Sequence, residues 1–297
     1  MIHHSDCPVC SGNSIRFILS AKDHTVSQEI FEIWICNECS SMFTQDVPDE
    51  NDIARYYESE NYISHSDTQA GFINKIYHFV RKRTLVSKMT LIKNETGKPH
   101  GNILDVGCGT GAFLNVMDES GWQTTGLEPD PAAREKAMQL YHIHVQPPDT
   151  IFDLPKNSFD AITLWHVLEH IHQLHGHVEK LKELLIPGGK LFIAVPNYTS
   201  YDARVYKENW AGYDVPRHLY HFTPESIGAM MEKHGLTVIK KKAMWYDSFY
   251  VSMLSEKYKN GKGNITAAFV NGLISNMHAM VNQNKCSSLI YIISKDE

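Results

Sequence analysis

Residues 105–111 read DVGCGTG, placing Gly107, Gly109 and Gly111 after an apolar run and ahead of a helical pattern over 111–121. Glycines at every second position of a strand-to-helix turn let a ligand lie against bare backbone. The loop alone leaves the ligand open, because Gly107, Gly109 and Ala112 also satisfy the relaxed dinucleotide fingerprint. Two acids narrow the choice. Asp105 sits in the last turn of the first strand, where a carboxylate repels a pyrophosphate and attracts an ammonium group. Glu128 closes the next strand, and a carboxylate about 20 residues past such glycines bonds the two hydroxyls of a ribose.

Outward from this loop, strand and helix patterns alternate. NILDVG, QTTGLE, IHV, FDAITLWH and GKLFIAV read as strands, 131–141 as a helix capped by Asp130 with Pro131 at its first position, and HGHVEKLKELL as another helix. Apolar strands separated by helices predict a doubly wound, mostly parallel α/β sheet over residues 99–297. Such sheets take ligands beyond the carboxyl ends of their strands.

Cysteines mark a second region. CPVC and CNEC supply Cys7, Cys10, Cys36 and Cys39, two C-x2-C knuckles whose four thiolates suit a structural Zn²⁺ with no open coordination position. SIRFILSAK and FEIWIC between them have β-rich patterns, so residues 1–48 read as a small zinc-binding β module. A helical connector over 49–98 follows, with Phe72, Ile76, Phe79, Val80 and Leu85 near helical spacing in a docking helix over 71–96. Cys108 and Cys286 are expected to be free thiols.

With 297 residues, 42% hydrophobic and 21% charged, the chain can bury a substantial core. A formal charge of −6 argues against a nucleic-acid partner, which needs a basic face; the lysines at 240–242 read as the solvated side of a strand. No apolar run is long enough to span a bilayer and MIHHSDCPVC has no signal-peptide core, so the expectation is a cytoplasmic protein without a membrane partner.

ILDVGCGTGAFL, GLEPDP, SFDAITLWHVLEHI and LIPGGKLFIAVPN, in this order, resemble the class I S-adenosylmethionine-dependent methyltransferases over about residues 100–240. The resemblance implies a Rossmann-like sheet of seven strands whose last two form an antiparallel pair, placed at LTVIKKKAMWY and SSLIYIIS with a helix over 262–283 between them. It also implies cofactor contacts. Gly107, Cys108, Gly109 and Gly111 would pass along the methionyl part and ribose, and Asp105 would face the amino group. Glu128 would hold the ribose hydroxyls, Pro129 would lie beside the adenine, and Asp149 or Thr150 would meet its edge. His166 would line the methionyl side.

Transfer to a hydroxyl or a carbon acid needs a proton acceptor, and histidine suits the task. HVLEH offers His166, Glu169 and His170 at helical spacing, and VPRHLYHF offers His218 and His221 within an aromatic stretch, 198–222, that reads as an acceptor lid. The cysteine module together with RHLYHFTPESIGAMMEKHG resembles the sugar C-methyltransferases, where a Glu-His pair serves deprotonation. His218 matches that histidine, and Arg217 stands where the glutamate would be. This makes His218 the first candidate base, ahead of His170 and His166. A looser likeness around LWHVLEHI is to ubiquinone-pathway O-methyltransferases, some of which hold a divalent ion there. The expectation is a methyltransferase for a small polar or glycosyl acceptor, by C- or O-methylation. The alternatives are O-methylation of a quinone-like or aromatic acceptor, a nicotinamide oxidoreductase, and a non-catalytic cofactor-binding protein.

Overall fold

The computed structural model describes residues 1–58 and 72–295, the side chains of 72–79 excepted. Its N-terminal strands are β1 (Ile15–Lys22), β2 (Ile30–Cys36) and β3 (Met42–Thr44), and α1 (Phe72–Thr96) follows. An alternating run comes next: β4 (Asn102–Val106), α2 (Ala112–Glu119), β5 (Gln123–Leu127), α3 (Pro131–Tyr141), β6 (Val145–Gln146), β7 (Phe159–Trp165), α4 (Leu174–Leu184) and β8 (Leu185–Pro196). The remainder holds α5 (Tyr201–Tyr206), β9 (Tyr220–His221), α6 (Pro224–Lys233), β10 (Leu236–Ala243), α7 (Asp247–Asn260), α8 (Ile265–Val281) and β11 (Ser288–Lys295).

Seven strands form one sheet in the order β10-β11-β8-β7-β4-β5-β6. β4 pairs in parallel with β5, Asp105 opposite Gly126, and with β7, Asp105 opposite Thr163. The chain leaves β4 toward β5 and β6 on one side and later adds β7 and β8 on the other. The order therefore reverses at the carboxyl end of β4, where the glycine loop begins. Ile103, Leu104, Ile162 and Leu164 are fully buried, as expected of strands covered on both faces. Asp130 caps α3 by accepting from the Ala132 N–H at 2.9 Å, with Pro131 filling the first position, where no N–H is needed.

By contacts, one unit of the described chain holds 1–58, 166–177 and 194–291, and the other holds 72–165, 178–193 and 292–295; β8 and β11 run through both. In the first unit a four-stranded sheet runs β1-β2-β3-β9, with Met42 opposite His221. The N-terminal strands thus take their last partner from the far end of the sequence. A two-stranded ribbon cannot bury its apolar face alone. Here Phe31 and Ile33 of β2 join one core cluster with Tyr206, Trp210, Tyr213 and Val215. The aromatic stretch expected to be a lid accordingly packs inward, Trp210 at 2% and Tyr213 at 5% exposure.

Arg217, in the place of the anticipated glutamate, is buried at 1%. Its guanidinium bonds Asp214 at 2.7 Å and Asp23 at 2.9 Å, and donates to the Tyr56 carbonyl at 2.8 Å. It is a clamp between segments of the first unit, not a proton acceptor.

Two expectations fail. The connection between the last two strands holds two helices, not one, because Gly261 ends α7 in the left-handed region and Asn264 restarts the chain by capping α8. HVLEH is not an α-helical face either: His166 has φ of +59° and only Leu168–His170 form a single 3-10 turn. In α1 the spacing at Phe72, Ile76 and Phe79 falls outside the described side chains, while Leu85 packs against Ile92 and its neighbours.

Candidate functional site

Gly107, Gly109 and Gly111 all lie in the left-handed region, with φ of +70°, +55° and +76°, so the loop's path is one that side-chain-bearing residues rarely follow. A Cβ on Gly109 would meet nothing within 4 Å, which leaves that face of the loop open to a ligand. Gly107 and Cys108 both donate to the Leu127 carbonyl, at 2.7 and 3.0 Å, and pin the loop to the end of β5. Glu128, buried at 8%, fixes the rest: Oε2 accepts from the Gly109 N–H at 2.8 Å and Oε1 from the Asp130 N–H at 3.0 Å. Burial pushes its carboxyl up, and these two N–H groups oppose that push. The Gly109 amide, which a pyrophosphate would use, is already engaged by a carboxylate.

Asp105 is buried and accepts from the Thr163 hydroxyl at 2.6 Å. Burial raises its carboxyl to about 7, against the pull of Thr163 and the Lys88 charge. The folded chain therefore holds a proton that the unfolded chain has released above about 3.8. Stability from this group is full at low pH and declines as pH rises through about 7. Urea unfolding at about pH 5 and about pH 8 should show that decline, and Asp105→Asn should flatten it; a slope unchanged in the variant would place its source elsewhere.

Pro129 and Asp149 are exposed, and Thr150 turns its hydroxyl onto the Pro147 carbonyl at 2.6 Å. Cys108 is half-buried; burial, with Asp105 and Glu128 nearby, pushes its thiol far up, so it carries no thiolate.

The histidines gather in the first unit around Glu169, which is 1% exposed. Glu169 Oε1 lies 3.5 Å from His166 Nδ1 and 4.0 Å from His218 Nε2, and the neighbouring imidazoles hold its carboxyl below the usual range despite burial. His166 Nε2 meets Asp247 at 3.0 Å. Burial opposes charge on His166, but Asp247 and Glu169 outweigh it and hold the ring up at about 10. His170 behaves oppositely: burial, together with His218, pushes it down to about 4, and its Nδ1 sits 3.0 Å from both the Arg217 carbonyl and the Tyr57 hydroxyl. His218 Nδ1 lies 2.9 Å from the Gly212 carbonyl. A carbonyl can only accept, so Nδ1 carries a proton and, in the neutral ring, the lone pair lies on Nε2.

Cys7 and Cys39 place their sulfurs 3.7 Å apart and Cys10 and Cys36 theirs 3.6 Å apart, and the four lie within 4.8 Å of one another. A disulfide needs about 2.05 Å, whereas sulfurs at the corners of a tetrahedron about 2.3 Å from its centre are roughly 3.8 Å apart. The knuckles repeat one hydrogen-bond pattern: Cys7 N to Gly12 O and Ser11 N to Cys7 O, then Cys36 N to Ser41 O and Ser40 N to Cys36 O. In each the left-handed residue is a serine, Ser11 or Ser40.

A family model described as a methyltransferase domain matches residues 77–241, more than half of the chain. The chain belongs to the class I S-adenosylmethionine-dependent methyltransferases. As a methyltransferase it is 29% identical over 195 residues to the mitochondrial ubiquinone biosynthesis O-methyltransferase of Rattus norvegicus, covering 58% of this chain and 54% of that protein. To the ubiquinone biosynthesis O-methyltransferase of Xanthomonas axonopodis pv. citri (strain 306) it is 28% identical over 159 residues, 49% of this chain and 66% of that one. The chain thus spans about half the length of the rat relative. In fold it resembles the magnesium protoporphyrin IX methyltransferase of Synechocystis PCC 6803, solved with bound SAH, with a TM-score of 0.54 and 14% identity over 84% of this chain and all of that one.

Sequence reasoning missed Thr163 and Asp247. Thr163 carried a signal, being the lone polar residue inside the apolar run AITLW. Asp247 carried none, since its partner His166 is 81 residues away.

Proposed function

We propose that this methyltransferase methylates a hydroxyl of a small polar or glycosyl acceptor, with His218 removing the proton. Bound S-adenosylmethionine supplies a methyl group on a positively charged sulfur. Glu128 keeps lone pairs beyond its two backbone bonds for the ribose hydroxyls, and Asp105 answers the amino group, whose charge favours the ionised carboxyl. Gly107, Cys108, Gly109 and Gly111 give the cofactor backbone to lie along, and Pro129, Asp149 and Thr150 bound the adenine.

The observation that carries the acceptor half is the hydrogen bond from His218 Nδ1 to the Gly212 carbonyl, which in the neutral ring puts the lone pair on Nε2, 4.0 Å from Glu169. His166, held charged by two carboxylates, is a poor proton acceptor, and His170 is a neutral neighbour tied to Arg217 and Tyr57. In the cysteine module, we assign a structural Zn²⁺ to Cys7, Cys10, Cys36 and Cys39, whose spacing suits a closed tetrahedral site.

A second reading is O-methylation of a quinone-like or aromatic acceptor, supported by the relatives' names. One feature favours a divalent ion in that case. Glu169 Oε2 is buried without a hydrogen-bond partner among the described residues, and Glu169, His170 and His218 bring three ligand atoms within 4.8 Å. Two imidazoles and a carboxylate suit such an ion.

One experiment separates the readings. Methyl transfer is screened against nucleotide-linked sugars and phenolic acids with wild-type protein, His218→Asn and Glu169→Gln, and metal content is measured on each. With His218 as the base, His218→Asn lowers kcat by about 10²–10⁴-fold while affinity for S-adenosylhomocysteine holds. A wild-type kcat in that variant overturns the assignment. A second metal equivalent that disappears in Glu169→Gln, together with turnover on phenolic acids alone, selects the second reading.

A further inference from the structure

The two helices between β10 and β11 have their packing inverted. A helix on a protein surface ordinarily buries its large apolar residues and shows polar ones. α8 buries Ala268, Gly272, Ser275 and Ala279, and it exposes Phe269 at 60%, Met277 at 56%, Met280 at 76% and Val281 at 91%. The small residues meet α7 closely: a Cβ on Gly272 would come within 2.7 Å of the Phe249 ring. What is left outside is an apolar stripe at helical spacing, Ile265, Phe269, Leu273, Met277 and Met280, about 26 Å long for 17 residues at about 1.5 Å each. Trp245, Tyr246 and Tyr250, at the start of α7 and just before it, are also exposed, between 42% and 51%. Rings with one apolar face and one polar edge are typical where oil meets water.

The charge around this stripe is equally unusual. Residues 240–285 hold seven lysines against two acids, a net of +5, so the rest of a chain with total charge −6 carries −11. Both acids are already engaged: Asp247 on His166 at 3.0 Å, and Glu256, buried at 5%, on the Tyr206 hydroxyl at 3.1 Å. Lys257 and Lys259 in the last turn of α7 and Lys262 in the connection to α8 are exposed. A second copy docking on the same face would set these lysines against one another, whereas an anionic surface would be complementary to them.

We infer that the α7–α8 hairpin is a peripheral docking face for an anionic lipid bilayer, with the α8 stripe entering the headgroup region and the lysines meeting lipid phosphates. No described helix is long and apolar enough to cross a membrane. The expectation of no membrane partner rested on the lack of such a span, and contact along a bilayer surface needs none. This inference does not depend on which acceptor is methylated.

The test is co-sedimentation of the full chain with phosphatidylcholine vesicles and with vesicles of phosphatidylcholine and phosphatidylglycerol, at low and at high salt. The chain should bind the anionic vesicles, and binding should weaken about tenfold or more at high salt and in Phe269→Ser/Met277→Ser. Lys259→Gln/Lys262→Gln alters only exposed side chains and should weaken binding comparably. Folding of each variant is confirmed by its thermal shift with S-adenosylhomocysteine. Failure to sediment with anionic vesicles would overturn the inference. So would variants that bind like wild type, or a concentration-dependent dimer that Leu273→Glu/Met277→Glu dissociates.

Discussion

Removing the structural Zn²⁺ proposed for Cys7, Cys10, Cys36 and Cys39 is expected to abolish methyl transfer while leaving affinity for S-adenosylhomocysteine within a few-fold of its starting value. A structural Zn²⁺ in a small module contributes on the order of 10–16 kcal/mol of apparent binding energy, which is folding energy for the segments it clamps. In this chain those segments are joined to the histidine cluster by hydrogen bonds. The Thr44 hydroxyl donates to the His218 carbonyl at 2.7 Å, Thr44 N donates to Leu219 O at 2.9 Å, and Leu219 N donates to Glu169 O at 2.8 Å. Loss of the module releases β3, and with it the backbone that sets the His218 ring. Metal analysis should find zinc at these cysteines, and chelation under reducing conditions should expose the amides of Met42–Thr44 and Tyr220–His221 to hydrogen exchange. Protection that survives complete metal removal would show the module folding without its ion.

The second large effect is at Glu128. Glu128→Ala would remove the two charge-assisted bonds proposed to the cofactor ribose, each worth about 1.5–3 kcal/mol, so affinity should fall by roughly two to four orders of magnitude. It also frees the Gly109 and Asp130 N–H groups that Glu128 now holds, so the loop loses its shape along with its partner. Glu128→Gln keeps the side-chain length but has no charge and one fewer acceptor, and it should fall between the two. Calorimetry with S-adenosylhomocysteine measures both; an affinity unchanged in Glu128→Ala would rule out the ribose assignment.

How far the sequence could be read depended on how local each interaction is. The glycine loop, Asp105 and Glu128 stand within two adjoining strands and their turns, so spacing alone brought them together. The helix cap at Asp130 and both cysteine knuckles are equally local. β9 was invisible, since two residues, Tyr220 and His221, become a strand only because Met42 and Phe43 lie opposite them. Arg217 looked like a gap in a catalytic pair for a similar reason: its acceptors, Asp23 and the Tyr56 carbonyl, belong to the N-terminal segment. α7 was missed on different grounds. It buries Ser248, Ser252 and Ser255 while exposing Tyr250 and Met253, so a search for an apolar inward face reads its periodicity backwards. That same inversion, continued in α8, is what marks the hairpin as a surface with a partner.

The pairing of β3 with β9 also sets a schedule for the chain's birth. Between Thr44 and Tyr220 lie 175 residues, which a ribosome emitting about 5–20 residues per second takes roughly 9–35 s to add. For that interval the nascent N-terminal sheet has an open edge, and open edges recruit other strands. Ion capture by the four cysteines is available from the moment Cys39 emerges, long before the last strand exists. The knuckles can therefore act as a holding clip, keeping a half-built sheet in register until residues 220–221 arrive to close it.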